Sequence, residues 1–266
     1  MTIAGLRDIR LVGGSKRTAE RFLSANNPFF TCVVSHTATA EIPGLTVAGA
    51  NPEMVRYTSP ADAEFLHYGH CKCIPVVPAT PDGKPTPALI TRAALRAAGI
   101  PFLVADAGAK VRPAVPAVSM GAACRPGGNI AIEDAMDEKD VETALAYGRA
   151  FGRQLAAASD LVVIGESIPG GTTTALAVLC ALGIDARFKV SSSMPHNPHE
   201  LKNKVVDAAL KRAKPGTPAQ CVACFGDPMM PAARKLVLPG DVVLARQRRA
   251  EGQCSRGAPR WRPCLQ

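Results

Sequence analysis

Aromatic residues are scarce in this chain of 266 residues, at 5% of the sequence with a single tryptophan. Proteins that bind single-stranded nucleic acids stack bases on aromatic side chains, so this scarcity argues against such a function. Long apolar runs are also missing, and no stretch reaches the length that spans a bilayer. The first residues contain no signal-peptide core, so we expect a cytoplasmic protein without a membrane partner.

Acidic residues are outnumbered, and the formal net charge is +9. The excess is local, because residues 246–266 hold six arginines and one acid, Glu251, and so account for +5 of that charge. This segment shows neither a helical nor a strand period. It is interpreted either as a basic tail or as the product of a shifted reading frame. Because the positive charge is confined to this segment, we predict no nucleic-acid partner. A basic nucleic-acid-binding protein is the weakest alternative.

The nine cysteines are scattered, and several lie in apolar stretches, which indicates reduced thiols rather than a disulfide framework. Two histidines and two cysteines between His67 and Cys73 could form a zinc site with Cys221 and Cys224. Their spacing does not reproduce the paired cysteines of known zinc sites. We predict no metal and no cofactor.

Hydrophobic patterning predicts alternating strands and helices. Apolar runs that predict strands occupy residues 9–14, 101–105, 185–191, 220–225 and 237–244, with another beginning at Leu161, and residues 29–35 form a further apolar run. Predicted helices occupy residues 15–23, 91–98 (ended by Gly99), 137–159, 172–182 and 198–214, with a helix start over 59–64. The stretches 41–87 and 108–128 are irregular.

This order predicts an α/β fold with a mostly parallel, Rossmann-like sheet, crossover helices and an irregular N-terminal portion. We expect a single domain over 1–232, made of an N-terminal part, 1–120, and a motif-bearing core, 121–232. An atypical basic segment, 233–266, follows this domain.

The most informative motif joins the run at Leu161 to the helix over 172–182. Glu166 is followed by the turn Pro169-Gly170-Gly171 and by three threonines. Glycines let backbone N–H groups approach a ligand, and a helix N-terminus favours an anion. We predict a phosphate cradle beside a carboxylate, a pair that suits phosphoribosyl chemistry. The alternative is an ordinary strand-to-helix turn with Thr172 as its N-cap.

Neither common nucleotide motif is present. The glycine turn lacks the lysine of a Walker A loop and the spacing of a dinucleotide-binding loop. The segment Gly13–Thr18 lacks the same spacing, and we interpret it as a turn with Ser15 as N-cap.

Ligands bind beyond the carboxyl ends of strands in parallel sheets. We expect Glu166, Ser191–Ser193 and Gly226–Asp227 at that edge. Downstream, Asn197 is predicted to cap a helix in which Pro198 and Glu200 complete the capping pattern. Lys202 and Lys204 lie one turn into this helix, where an ammonium could neutralise an anion; solvated helix charges are the alternative.

The chain resembles the nicotinate-nucleotide:dimethylbenzimidazole phosphoribosyltransferases, and among them the branch found in archaea and cyanobacteria. The resemblance covers about residues 9–231. Its most specific part is Gly165-Glu-Ser-Ile-Pro-Gly-Gly-Thr-Thr-Thr174, and Gly127-Gly-Asn-Ile-Ala131 and residues 201–210 add to it.

This resemblance implies transfer of phosphoribose from nicotinate mononucleotide to a benzimidazole-type base by a homodimer. The products are nicotinate and α-ribazole phosphate, which supplies the lower ligand of cobalamin. The resemblance implies that Glu166 is catalytic. It implies that ribose and phosphate are bound by Gly170, Gly171, Thr172, Thr173 and Lys204.

The family continues beyond the region of Gly226–Met229 and carries there the glutamate usually assigned as catalytic base. Asp241 and Glu251 are poor candidates for that role in this chain. The alternative expectation is therefore a truncated, catalytically dead fragment that retains at most nucleotide or phosphate binding.

Overall fold

The structure, a computed structural model, describes residues 20, 24–49, 51–80, 82–121, 124–192, 194 and 196–236. The strands predicted over 9–14 and 237–244, the turn at Gly13–Thr18 and the chain beyond residue 236 lie outside these residues. The helix predicted over 15–23 also lies outside them, apart from Glu20.

Four strands form a parallel sheet in the order β3-β2-β1-β4. The strands are β1, Pro28–Val34; β2, Phe102–Asp106; β3, Ala117–Ser119; and β4, Leu161–Ser167. In the register of the sheet, Cys32 lies opposite Val104 on one side and Gly165 on the other. The predicted α/β fold with a parallel sheet is confirmed. The short strand β3 was not predicted, because it lies in a proline-rich stretch that shows no strand pattern.

Seven helices accompany the sheet in the described ranges. They are α1, Thr58–Tyr68; α2, Ala88–Ala98; α3, Glu138–Ala158; α4, Gly171–Ala181; α5, His199–Arg212; α6, Pro218–Phe225; and α7, Met229–Leu236. Two 3₁₀ helices, Ala38–Glu41 and Pro52–Tyr57, lie between β1 and α1. The helices predicted around 91–98, 137–159, 172–182 and 198–214 are all present. None of the described helices is long and apolar enough to cross a membrane.

The central strand β1 is buried on both faces of the sheet. Val33 packs in a cluster with residues of α3 and α7, whereas Cys32 and Val34 pack in a second cluster with residues of α1 and α2. Successive strand residues point to opposite faces, so a sheet covered on both sides favours a largely apolar strand, and β1 has one polar residue, Thr31. A third cluster joins α4, α5 and α6 beside the sheet.

The strand predicted over 220–225 is wrong, because these residues belong to helix α6. Thr217 caps this helix by accepting a hydrogen bond from the backbone N–H of Gln220 at 3.2 Å, and Pro218 occupies its first turn. Proline at that position is compatible with a helix start. Cys221 and Cys224 therefore lie on a helix and not on a strand.

The strand predicted over 185–191 is also wrong. The segment turns back on itself, with the backbone N–H of Lys189 bound to the carbonyl of Ala186 at 3.1 Å. Phe188 adopts a left-handed conformation with φ of 60°. The Lys189 ammonium also binds the carboxylate of Asp185 at 2.6 Å. The bond from Lys189 to Ala186 uses a backbone N–H and a carbonyl that a strand would pair with its neighbour.

Candidate functional site

The glycine turn between β4 and α4 forms the centre of the site. Gly170 occupies the N-cap position of α4 and adopts a left-handed conformation, with φ of 74°. The N-cap is thus Gly170 and not Thr172, the residue that the alternative interpretation of this turn placed there. A side chain at Gly170 would lie 3.0 Å from Ala40 Cβ, so the turn packs tightly against the segment after β1. The turn brings Gly170, Gly171 and Thr172 to the positive end of α4, where an anion is favoured.

Lys202 extends from α5 to this turn. Its side chain is 2% exposed, and its ammonium lies 3.0 Å from Thr172 Oγ1 and 2.8 Å from the carbonyl oxygen of Ser191. A buried positive charge beside a helix N-terminus strengthens the preference for an anion there. Lys204, two residues further along α5, is exposed. The structure thus brings Lys202 to the glycine turn, and the role of Lys204 stays a prediction.

Glu166 is the penultimate residue of β4 and lies opposite Val33 of β1. Its side chain is exposed at the carboxyl end of the sheet. Gly170, the first glycine of the turn, follows four residues later. The Glu166 carboxylate and the glycine turn, which were predicted to be neighbours, therefore lie at the same edge of the sheet.

Asp227 follows α6 and contacts Thr174 in the first turn of α4, next to the glycine turn. It is 2% exposed, one of its carboxyl oxygens lies 2.6 Å from Thr174 Oγ1, and the other accepts a hydrogen bond from the backbone N–H of Met229 at 3.1 Å. Burial, with a smaller contribution from the negative charge of Glu166, raises the pKa of Asp227 to about 6.

The contacts of Thr174 suit a protonated Asp227. The Thr174 hydroxyl also lies 2.9 Å from the carbonyl oxygen of Gly171, and it has one proton to donate. When Asp227 is protonated, its own O–H can donate to Thr174 while Thr174 donates to Gly171. Asp227 was placed at this edge from the sequence, whereas its link to the first turn of α4 was not predicted.

Two buried hydroxyls near the turn lack hydrogen-bond partners among the described residues. They belong to Thr173, which is fully buried in the first turn of α4, and to Ser35, directly after β1. The backbone N–H of Ser35 donates to the carbonyl of Ser167 at 3.2 Å, so Ser35 lies beside the end of β4. Unsatisfied buried polar atoms are rare in cores and call for a partner. Their position favours a polar ligand at this edge.

The Gly127–Gly128 motif holds the segment after β1 in place. The backbone N–H of Gly127 donates to the carbonyl of His36 at 2.9 Å, and its carbonyl accepts from Ala38 at 2.8 Å. Within that segment, His36 Nε2 lies 2.9 Å from a carboxylate oxygen of Glu41, which also binds Lys110. Burial lowers the pKa of His36. The motif therefore supports Ala40, against which Gly170 packs.

The predicted capping pattern at Asn197 does not form. The Asn197 amide donates to the carbonyl of Val190 at 2.7 Å, and α5 begins at His199 without a side-chain cap. Ser191 reaches the site through its contact with Lys202, whereas Ser193 is outside the described residues. In the part of the chain that the structure describes, no group of three or more His, Cys, Asp or Glu residues could hold a metal ion.

Comparison with known proteins gives one family and several relatives. Residues 88–239 match the model of a family described as phosphoribosyltransferase. A UPF0284 protein of Archaeoglobus fulgidus is 48% identical over 239 residues, which are 89% of this chain and 69% of that protein. A UPF0284 protein of Methanothermobacter thermautotrophicus is 45% identical over 224 residues, which are 81% of this chain and 61% of that protein.

Solved structures show the same fold at lower identity. The crystal structure of a nicotinate-nucleotide-dimethylbenzimidazole phosphoribosyltransferase from Thermus thermophilus aligns with a TM-score of 0.57 and 21% identity. The alignment covers 80% of this chain and 57% of that chain. The chain thus spans between 57% and 69% of the length of these proteins.

Proposed function

The chain belongs to the nicotinate-nucleotide:dimethylbenzimidazole phosphoribosyltransferase family, and we propose that it transfers phosphoribose from nicotinate mononucleotide to a benzimidazole-type base. The products would be nicotinate and α-ribazole phosphate, a precursor of the lower ligand of cobalamin. The observation that carries the proposal is the buried ammonium of Lys202 at the glycine turn, 3.0 Å from Thr172 Oγ1. A site of this kind suits the phosphate of a nucleotide.

We assign the phosphate of nicotinate mononucleotide to the turn over Gly170–Thr172. Backbone N–H groups in the first turn of a helix have no carbonyl partner within the helix, so they are available to phosphate oxygens. The Thr172 hydroxyl and the Lys202 ammonium add donors from the side. Binding the phosphate here would fix the position of the ribose relative to Glu166, and such positioning is a large part of catalysis.

Glu166 would act on the ribose as its bond to nicotinate breaks. The bonding electrons move to the pyridinium nitrogen, which becomes neutral, while C1 of the ribose gains positive charge. A fixed carboxylate near C1 lowers the energy of that charge. Because the leaving group is already cationic, its departure needs no proton donor.

The test is incubation of the full chain with nicotinate mononucleotide and 5,6-dimethylbenzimidazole, with both products followed by mass spectrometry. We expect nicotinate and α-ribazole phosphate to form together, and Glu166→Gln to lower the rate about 100-fold or more. Glu142→Gln, an exposed substitution on α3, is the matched control and should keep the wild-type rate.

A nucleotide-binding protein without turnover is the second candidate, since the contact between Lys202 and Thr172 at the glycine turn would suffice for phosphate binding alone. Binding of nicotinate mononucleotide in calorimetry, with no product from 5,6-dimethylbenzimidazole, would support that candidate. Absence of both binding and transfer would contradict the proposal, including the assignment of the phosphate to the glycine turn.

A further inference from the structure

A cavity of about 350 Å³ extends from the site along one face of the sheet. It lies between α2 and the strands β1 and β4, and it reaches from Ile100 to Glu166 and Ser167. Its wall is mainly apolar, with Phe30, Leu66, Leu95 and Val163 among the lining residues. Ligand cavities typically combine an apolar wall with a few placed polar groups. This one suits a largely apolar molecule with a polar group at one end.

Asp62 and Glu166 are the charged residues among those that line the described cavity. Asp62 lies on α1, and its two oxygens accept hydrogen bonds from Thr86 Oγ1 at 2.6 Å and from Ser167 Oγ at 2.7 Å. Ser167 is the last residue of β4, so the Asp62 carboxylate lies at the carboxyl end of that strand. Each oxygen of Asp62 retains acceptor capacity for a further donor.

The position of Asp62 is fixed by the first turn of its helix. The hydroxyl of Ser59 lies 2.7 Å from the carbonyl oxygens of both Ser35 and Ser167, at the ends of β1 and β4. The start of α1 is therefore tied to the same sheet edge that carries Glu166. Thr58, one helical turn before Asp62, also has a buried hydroxyl without a hydrogen-bond partner in the described ranges.

We propose that Asp62 recognises the N–H group of the heterocyclic acceptor and accepts its proton during transfer. This role rests on the proposed transferase function. Phe30, Leu66 and Leu95 would contact the apolar ring of the base, while its N–H points to the Asp62 carboxylate.

The proposed step balances in atoms and charge. The ring nitrogen without a proton attacks C1 of the ribose as the bond from C1 to nicotinate breaks. The acceptor ring then carries a positive charge, which it loses when its N–H proton moves to the Asp62 carboxylate. Asp62 becomes neutral and returns the proton to solvent after the product leaves.

The environment of Asp62 supports this role. Burial raises the pKa of Asp62, although the hydroxyls of Thr86 and Ser167 oppose the shift. A carboxylate whose pKa is raised towards the working pH is a stronger proton acceptor than an ordinary aspartate. An apolar wall also strengthens a hydrogen bond between a charged acceptor and an N–H donor.

The first experiment measures binding of two bases by calorimetry, without nicotinate mononucleotide and therefore without turnover. Benzimidazole has the N–H group, and 1-methylbenzimidazole carries a methyl group in its place. We expect wild-type protein to prefer benzimidazole about tenfold or more. Asp62→Leu should remove this preference and leave binding of 1-methylbenzimidazole unchanged, while Glu166→Gln should keep the preference.

Three results would overturn the proposal. These are a preference that survives in Asp62→Leu, a preference that is lost in Glu166→Gln instead, and failure of the wild-type protein to bind either base. Because the measurement does not use transfer, it separates this proposal from the proposed function. In the transfer assay, Asp62→Asn should slow the reaction of benzimidazole about 100-fold and spare that of 1-methylbenzimidazole.

A second pair of variants covers the case in which Asp62→Leu does not fold. Ala94 and Ala97 are both exposed on α2, but of the two only Ala94 lines the cavity. Ala94→Phe should therefore weaken binding of both bases tenfold or more, whereas Ala97→Phe should bind them like the wild type. Equal binding by Ala94→Phe and wild type would mean that the base does not bind in this cavity, and would overturn the role of Asp62.

Discussion

The ammonium of Lys202 lies 3.0 Å from the hydroxyl of Thr172 and joins α5 to the first turn of α4. Lys202 is one of the largest side chains that the fold buries completely. Burying an ammonium is costly unless charged or polar partners surround it. Its position at the positive end of a helix is consistent with a site whose natural occupant is an anion.

Replacing Lys202 should weaken binding of nicotinate mononucleotide more than replacing Lys204. A charge-assisted hydrogen bond contributes about 1.5–3 kcal/mol, so Lys202→Met should raise the dissociation constant roughly 10- to 100-fold. Lys204→Met removes an exposed charge and should change it about twofold or less. Calorimetry of both variants against wild type is the measurement. A larger loss in Lys204→Met than in Lys202→Met would assign the phosphate to the other lysine.

Gly170→Ala should destabilise the protein more than Gly183→Ala, although both glycines have a left-handed backbone. Their φ values are 74° and 77°, so each alanine costs about 1–2 kcal/mol in backbone strain. A methyl group at Gly170 would in addition lie 3.0 Å from Ala40 Cβ, while nothing lies within 4 Å at Gly183. This contact should add about 1–3 kcal/mol.

Urea denaturation of the two alanine variants gives the comparison directly. The strain from the left-handed backbone is common to both, so the difference in unfolding free energy reports the contact with Ala40. Equal losses of stability would mean that the segment after β1 moves away at little cost. Gly170→Ala should also weaken binding of nicotinate mononucleotide, whereas Gly183→Ala should not.

The parts of the fold that the sequence predicted well are those with long or repeated local patterns. The helix α3 has 21 residues and a regular apolar face, and β4 is a short apolar run that ends in a recognisable turn. The run over 220–225 has a length that suits a strand or a buried helix equally. Thr217 as N-cap, with Pro218 directly after it and Gln220 three residues after it, was the signal that could have decided for the helix.

The site was only partly predictable, since some of its contacts join distant parts of the chain. The glycine turn is a local motif, whereas Asp62 meets Ser167 across 105 residues and Thr174 meets Asp227 across 53. Pattern analysis does not supply such pairs. The sequence pattern could have favoured Lys202 over Lys204, because Lys202 shares the helical period of the buried residues Val205, Val206 and Ala209.

Gly165→Ala should destabilise the sheet through a clash with Phe30. A methyl group at Gly165 would lie 2.5 Å from Phe30 Cζ, so the aromatic ring or the strand would have to shift. We expect a loss of about 1–3 kcal/mol in unfolding free energy. Phe30→Leu should relieve the clash. The double variant should therefore lose less unfolding free energy than the two single variants lose in sum, by about 1 kcal/mol or more.

Urea denaturation of the four proteins in this cycle measures the coupling between Gly165 and Phe30. Both residues line the cavity assigned to the acceptor base, so the same variants report on its shape. Additive losses would mean that the ring of Phe30 does not restrict position 165.

Asp227 should make the stability of the protein depend on pH between about 4 and 6. Its pKa is about 6 in the folded state against an ordinary value of 3.8, so the folded state holds this proton more tightly than the unfolded chain. The resulting stabilisation is fully present below the unfolded pKa and is lost as the pH rises through the folded pKa. At about 1.36 kcal/mol per pKa unit, the change amounts to about 3 kcal/mol.

Asp227→Asn isolates this effect, because asparagine has no proton to lose and can still accept from the backbone N–H of Met229 and donate to Thr174. Unfolding free energies of the wild type and Asp227→Asn in urea, measured at several values from about pH 4 to about pH 7, give the comparison. The variant should gain up to about 3 kcal/mol relative to wild type as the pH rises. Val206→Ala, a core substitution without a titratable group, should differ from wild type by a constant amount across the same range. A constant difference for Asp227→Asn as well would mean that Asp227 is ionised throughout and that its bond to Thr174 runs from the threonine hydroxyl to the carboxylate.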